Sequence, residues 1–203
     1  MITNEDILGS KSSIGVLRVL EGVSVALSIT QIARQAGLTR PAVVSVLERL
    51  EQKGIVFVTR SGNARLYQLE PTNIYVEQVI RPFFEFEQNL LGHMKRDISQ
   101  ALGSSTTSII LFGSFAREDQ DQSSDVDIVV VAKDSLQRKQ VEKSLDEYGS
   151  CFYRRFGHGL DALVYDYAQA RQLSSRAPAL FTEIKEDGCL ISGTAEWMTS
   201  EQE

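Results

Sequence analysis

From Ile109 to Ala132 the chain reads IILFGSFAREDQDQSSDVDIVVVA, and no other stretch constrains the fold so closely. An apolar run stops at Gly113-Ser114 and a polar loop follows. Ser124-Asp125-Val126-Asp127 then leads directly into Ile128-Val129-Val130-Val131. Side chains alternate along a strand, so Asp125 and Asp127 point to the same face. Two like charges side by side repel unless a cation sits between them. Glycine lets a backbone approach a phosphate closely, and serine brings a hydroxyl to the same group. The residues after Ser114 are expected to open a helix whose first N–H groups favour an anion. The pattern Gly-Ser-x10-Asp-x-Asp therefore predicts a metal site facing a phosphate cradle.

The surrounding residues complete an α/β unit. Thr106–Phe112 is β-branched and apolar, a strand by composition. Gln137–Phe156 reads as a helix with Val141, Leu145, Tyr148 and Phe152 as its apolar stripe. Gly157-His158-Gly159 is a turn, and Leu160–Tyr165 is an apolar strand interrupted by Asp161. An unpaired carboxylate inside a core strand is costly and asks for a cation or a donor, which makes Asp161 a third candidate ligand. Asp166 lies past the apolar body of that strand and is the weaker candidate. Asp119 and Asp121 read as solvated, and His158 as a turn residue. Pro178–Glu186 reads as a short helix, with a turn and strand over 187–193. The remaining tail is expected to be loose unless Trp197 pins it.

The first third has a different rhythm. Ser12–Val23 carries apolar residues at helical spacing. Ser28 or Thr30 can cap a following short helix that Gly37 ends. Thr39 can cap the next, with Pro41 in its first turn and Val43, Val44, Val46, Leu47 and Leu50 recurring behind it. Ile55–Val58 and Arg65–Leu69 are strand-like around a turn at Arg60–Ala64, and Pro71 closes the unit. Two helices joined by a tight glycine turn form a helix-turn-helix pattern. Residues 1–71 hold eight Lys/Arg and six Asp/Glu, a net +2, whereas residues 72–203 hold thirteen and twenty-one, a net −8. Any nucleic-acid contact is therefore expected at the N-terminal end.

Between these parts, Thr72–Leu102 has no Gly- or Ser-rich linker. Its apolar residues recur at three- and four-residue spacing, predicting one or two long helices that Pro82 kinks or divides. So many apolar residues point to core packing or a homodimer interface. The expected organisation is thus 1–71, a helical connector over 72–102, and 103–203. No run approaches the roughly 20 apolar residues that span a bilayer, and the N-terminus has no apolar core of signal-peptide type. A cytoplasmic protein with no membrane partner is expected. Cys151 and Cys189 are then free thiols.

Three helices followed by a hairpin resemble the winged helix-turn-helix domain of bacterial and archaeal regulators, over roughly residues 8–71. The resemblance implies that the second helix of the motif enters the major groove of DNA. Its solvent-facing candidates are Thr39, Arg40, Ser45, Glu48, Arg49 and Lys53, and the wing adds Arg60, Asn63 and Arg65. The wing arginines are better placed for phosphate than for bases.

Gly113-Ser114, Arg117, Ser124, Asp125 and Asp127 resemble the motif of the nucleotidyltransferase superfamily of DNA polymerase β type. The likeness is strongest to its minimal nucleotidyltransferase branch, with kanamycin nucleotidyltransferase more distant. Glu118 departs from the glycine often found after the arginine. The resemblance implies a mixed-sheet transferase fold. It also implies two Mg²⁺ ions on Asp125 and Asp127, with Asp161 in the place of the third carboxylate. Gly113 and Ser114 would bind the β- and γ-phosphates of an NTP, ATP first, with Ser124 beside them. Arg117 would neutralise phosphate or brace the loop. The implied reaction transfers NMP to a protein, RNA or small-molecule hydroxyl. Relatives of this branch act as antitoxins that adenylylate HEPN-type toxins, so such a toxin is one expected partner. The alternative is a DNA-binding regulator whose transferase domain senses nucleotide without turnover.

Overall fold

The structure, a computed structural model, describes residues 3–62, 64–121 and 124–199. The chain divides into two compact units, Met1–Asn89 and Leu90–Glu203.

The first unit opens with α1 (Asn4–Leu8) and α2 (Lys11–Glu21). A short β1 (Leu27–Ser28) leads into α3 (Ile29–Ala36). Ser28 supplies the cap, accepting from the Gln31 N–H while the Gln31 side chain returns to the Ser28 N–H. This reciprocal pair satisfies two N–H groups that the helix leaves open. α4 (Arg40–Gln52) follows the turn at Gly37. Thr39 occupies its cap position without a side-chain cap hydrogen bond. β2 (Val56–Ser61) and β3 (Ala64–Leu69) form the antiparallel wing, and β1 adds a third strand against β3. Val16, Leu17, Leu20, Ile32, Val43, Leu47, Leu50 and Ile55 are buried together beneath it.

The connector is not divided at Pro82. A π-turn over Val76–Ile80 runs straight into α5 (Arg81–Leu102). The Arg81 N–H bonds to the Val76 carbonyl five residues back. Pro82 lacks an N–H and its ring crowds the carbonyl four residues before it, so a widened turn just ahead of the proline relieves what an α-turn would strain.

The second unit is a four-stranded mixed sheet in the order β6-β5-β4-β7. The strands are β4 (Ser108–Phe112), β5 (Val126–Ala132), β6 (Leu160–Asp166) and β7 (Cys189–Gly193). Between β4 and β5 lies the single-turn α6 (Gly113–Arg117). β4 pairs antiparallel with β5 and β7, while β5 and β6 are parallel. Parallel neighbours need a crossover, supplied by α7 (Ser135–Phe156), which Asp134 caps through the N–H groups of Leu136 and Gln137. One sheet face carries Ile109, Leu111, Val126, Ile128 and Val130 against Met94, Ile98, Val141 and Phe152. The other carries Ile110, Phe112, Val129 and Val131 against α8 (Tyr167–Arg171), α9 (Leu173–Arg176) and α10 (Pro178–Asp187). Trp197 does pin the tail as far as Thr199, residues 200–203 lying outside the described residues: it is 2% exposed, and its indole N–H donates to the hydroxyl of fully buried Ser108 at 2.9 Å.

Candidate functional site

Strand alternation decides where the carboxylates go. Val126 and Ile128 are buried on the α7 side, so Asp127 shares the opposite face with Val129 and Val131. In the parallel ladder Asp127 stands directly across from Asp161. Asp125 comes one residue before β5. Asp127 is half-buried, while Asp125 and Asp161 are exposed.

Contrary to expectation, Asp161 is not trapped inside a core strand. β6 is an edge strand, and none of its residues is fully buried. Its apolar composition reflects partial cover by helices on both faces, not interior burial. What singles out Asp161 is its register opposite Asp127.

Two glycines make room for the aspartates. Gly113 has φ +71°, and a Cβ on it would lie 2.5 Å from Asp127 Oδ2. A Cβ on Gly159 would lie 2.9 Å from Asp125 Cγ. Neither position tolerates a larger residue without moving a carboxylate. Burial pushes the Asp127 carboxyl above the ordinary carboxylate range, helped by the negative charges of Asp161, Asp125 and Glu183, while Arg117 pulls it down. Among the described residues, no hydrogen-bond donor or ion-pair partner reaches Asp125, Asp127 or Asp161. Among the described residues, no three His, Cys, Asp or Glu side chains are gathered as a ready ligand set. Hard oxygen donors, mutual repulsion and side-chain clearance at two glycines nonetheless fit a hard divalent cation.

Other residues of the motif have local tasks. Arg117 binds Asp119 at 3.2 Å and Glu183 of α10 at 3.0 Å, with Asp187 at 3.7 Å. Its guanidinium is thus engaged by carboxylates, the bracing alternative, and not held out toward phosphate. The Ser124 hydroxyl accepts from the Asp121 N–H at 2.9 Å and donates to Asp121 Oδ1 at 3.2 Å, closing the loop. Ser114 sits half-buried in the first turn of α6 behind Gly113. Glu118 has φ +60°, and among the described residues no other non-glycine has positive φ. A glycine after the arginine would adopt that conformation without strain. His158 does more than turn the chain: its Nδ1 lies 2.9 Å from the Ser124 carbonyl. Only the spacing Gly-His-Gly ahead of Asp161 signals it in the sequence.

In the first unit, Thr39, Arg40, Ser45 and Glu48 are exposed at or along α4, and Lys53 is half-buried at its C-terminal end. Arg49 is not solvent-facing as expected. It donates to the Ser13 hydroxyl of α2, and its Nε is buried with no partner among the described residues. It lies on the flank of the apolar stripe, where a long side chain folds back along a neighbouring helix. On the wing, one Nη of Arg65 donates to both carboxylate oxygens of Glu51, at 2.8 and 3.0 Å, and the guanidinium lies over Tyr67. Arg60 is exposed and directly opposite Arg65 in the ladder. Asn63 lies outside the described residues.

Comparison with known proteins agrees with this division. Residues 92–176 match the model of the nucleotidyltransferase domain, and residues 10–65 match that of the MarR family. A protein of Methanocaldococcus jannaschii, "Putative protein adenylyltransferase MJ0141", is 39% identical over 54 residues, 27% of this chain and 54% of that protein. The chain thus spans about half the length of that curated relative. Among solved structures, one titled "Crystal structure of the predicted DNA-binding transcriptional regulator from E. coli" aligns at 22% identity and TM-score 0.36, over 40% of this chain and 83% of that one. A toxin-antitoxin structure with AMP-PNP aligns at 21% identity and TM-score 0.34, over 50% of this chain and 75% of that one. Among the described residues no helix is long and apolar enough to cross a membrane. The chain carries a MarR-type winged helix over residues 10–65 and a nucleotidyltransferase domain over residues 92–176.

Proposed function

We propose that the chain transfers a nucleoside monophosphate, AMP in the first instance, from a nucleoside triphosphate to a hydroxyl acceptor. The reading is carried by one observation. Asp127 and Asp161 face each other across the parallel ladder, with Asp125 two residues away, and among the described residues no hydrogen-bond donor reaches them. Asp125, Asp127 and Asp161 are the residues that would hold Mg²⁺, with two ions shared among them. When bound, Mg²⁺ supplies charge neutralisation at the attacking and leaving oxygens of an in-line displacement.

The remaining work falls to the chain. Gly113 presents backbone and Ser114 a hydroxyl to the phosphate tail, with Phe115 buried behind them. The acceptor oxygen bonds to the α-phosphorus, the bond from that phosphorus to the bridging oxygen breaks, and pyrophosphate leaves. Asp161, exposed at the sheet edge, orients the acceptor hydroxyl and takes its proton. A protein hydroxyl is the acceptor to test first. The Methanocaldococcus relative is named for protein adenylylation, and resemblance to antitoxins of this type points to a HEPN-type toxin.

The winged helix is proposed to bind DNA. Thr39, Arg40 and Ser45 stand exposed at the start of α4, and Arg60 and Arg65 place two like charges side by side on the wing. Arg65 is paired with Glu51, so the exposed Arg60 is the wing cation offered to backbone phosphate.

Incubation with α-labelled ATP and Mg²⁺, alone and with a purified HEPN-type toxin, is expected to label the acceptor, and Asp127→Ala to remove the label. An Asp127→Ala chain that still transfers label would overturn the site. Nucleotide binding without any labelled product would leave a sensor in place of a transferase.

A further inference from the structure

Asp125 is the least supported of the three aspartates. It is exposed, precedes β5, and ends a polar loop. Its backbone is nevertheless held on both sides. The Ser124 carbonyl accepts from His158, and the Val126 N–H donates to the Gly159 carbonyl at 2.9 Å. Both bonds come from the turn between α7 and β6, whose Gly159 also leaves the space beside the Asp125 carboxylate.

A carbonyl oxygen can only accept, so the hydrogen of the first bond sits on Nδ1. Neutral and charged imidazole can both donate there. The same ring meets Phe115 edge-on, with centroids 5.1 Å apart and planes at 83°. Phe115 is buried in the turn that begins at Gly113. One imidazole therefore touches both halves of the site: the phosphate side through Phe115, and the carboxylate side through Ser124.

We propose that His158 is a positioning residue that fixes Asp125 for cation binding through the Nδ1–H bond to Ser124. The proposal rests on the metal reading of the site. It assigns the imidazole no contact with cation or substrate. An outer partner of this kind, when lost, costs metal sites about ten- to a hundredfold in affinity or activity.

Three substitutions separate the bond from the ring. His158→Phe keeps the ring and loses the donor. His158→Asn keeps a donor near the Nδ1 position and loses the ring. His158→Gln moves the donor outward. In the full chain, with fold checked by circular dichroism, Mn²⁺ affinity is measured alongside amide exchange at Asp125 and Val126. His158→Phe and His158→Gln are expected to weaken Mn²⁺ binding about tenfold or more and to speed exchange at Val126. His158→Asn is expected to stay near the parent. In turnover with ATP, kcat should fall while KM holds. The proposal is overturned if His158→Phe binds Mn²⁺ and exchanges like the parent. It also falls if His158→Asn is as impaired as His158→Phe, since ring packing would then be the cause. If the parent binds Mn²⁺ through Asp125 yet transfers nothing, the transferase reading fails, and the affinity and exchange measurements still decide the role of His158. If the parent binds no Mn²⁺, the metal reading and this proposal fail together.

Discussion

The β5–β6 ladder carries aspartates at both ends, and the two ends treat them differently. At one end Asp127 faces Asp161; at the other Ala132 faces Asp166. Asp166 has a local partner. It caps α8, accepting from the Gln169 N–H at 2.8 Å while Gln169 returns to the Asp166 N–H at 3.2 Å. Its charge is used by the fold. Asp127 has neighbours of its own sign, and burial and those neighbours raise its affinity for a proton. Residue type and ladder are shared, so the contrast turns on the environment. A carboxylate satisfied by backbone is structural, whereas one left facing its like is held for a ligand.

The largest test exchanges one end for the other. Asp127→Asn is expected to abolish nucleotidyl transfer, while Asp166→Asn leaves it near the parent rate, both read by label incorporation. If both lose activity, the contrast between the ends is broken. Stability should move the opposite way. Because the folded chain raises the Asp127 proton affinity, it binds more protons than the unfolded chain between the ordinary carboxylate range, about 4, and the raised value. Metal-free stability therefore falls as pH climbs through that window and stays low above it. Asp127→Asn should remove the fall and melt higher at neutral pH, and Mg²⁺ should raise the parent's melting temperature more than the variant's. A lower-melting Asp127→Asn chain would mean that the charge is satisfied in the fold.

Smaller effects follow at positions with local work. Asp166→Ala is expected to cost about 1 kcal/mol through the lost cap. Glu118→Gly should gain roughly 1 kcal/mol by removing a side chain from a left-handed position. Both are read by denaturant titration. On the winged helix, Arg60→Ala should lower the slope of log affinity against log salt by about 1 in a DNA gel shift. Arg49→Ala should leave that slope unchanged, because its guanidinium already faces Ser13.

These contrasts show what pattern alone could carry. The order of helices and hairpin was readable because caps and apolar spacing are local, and Ser28 and Gly37 occupy the places that local chemistry assigns them. The face of Asp127 is legible because strand alternation is also local, whereas Asp125 comes one residue before β5, where alternation does not carry it. The apolar run around Asp161 predicts an interior strand and the structure makes it an edge, since edge or interior position depends on strand order, which periodicity does not encode. The sequence leaves Arg117 open between phosphate and bracing because Glu183 lies 66 residues away, and it places Arg49 on the solvent face because Ser13 lies 36 residues away. Ser124 was drawn into its loop by a carboxylate three residues away, a competition the motif gave no reason to weigh. The π-turn before Pro82 was hidden because the proline predicts strain but not how the backbone absorbs it.

Trp197 also gives the molecule a spectroscopic address. The chain has one tryptophan, and it is buried against Ser108 in the second unit. Its fluorescence therefore reports the melting of the nucleotidyltransferase unit alone, whereas far-ultraviolet circular dichroism sums both units. Recorded on one sample, the two curves measure how far the winged helix and the transferase unit unfold as one.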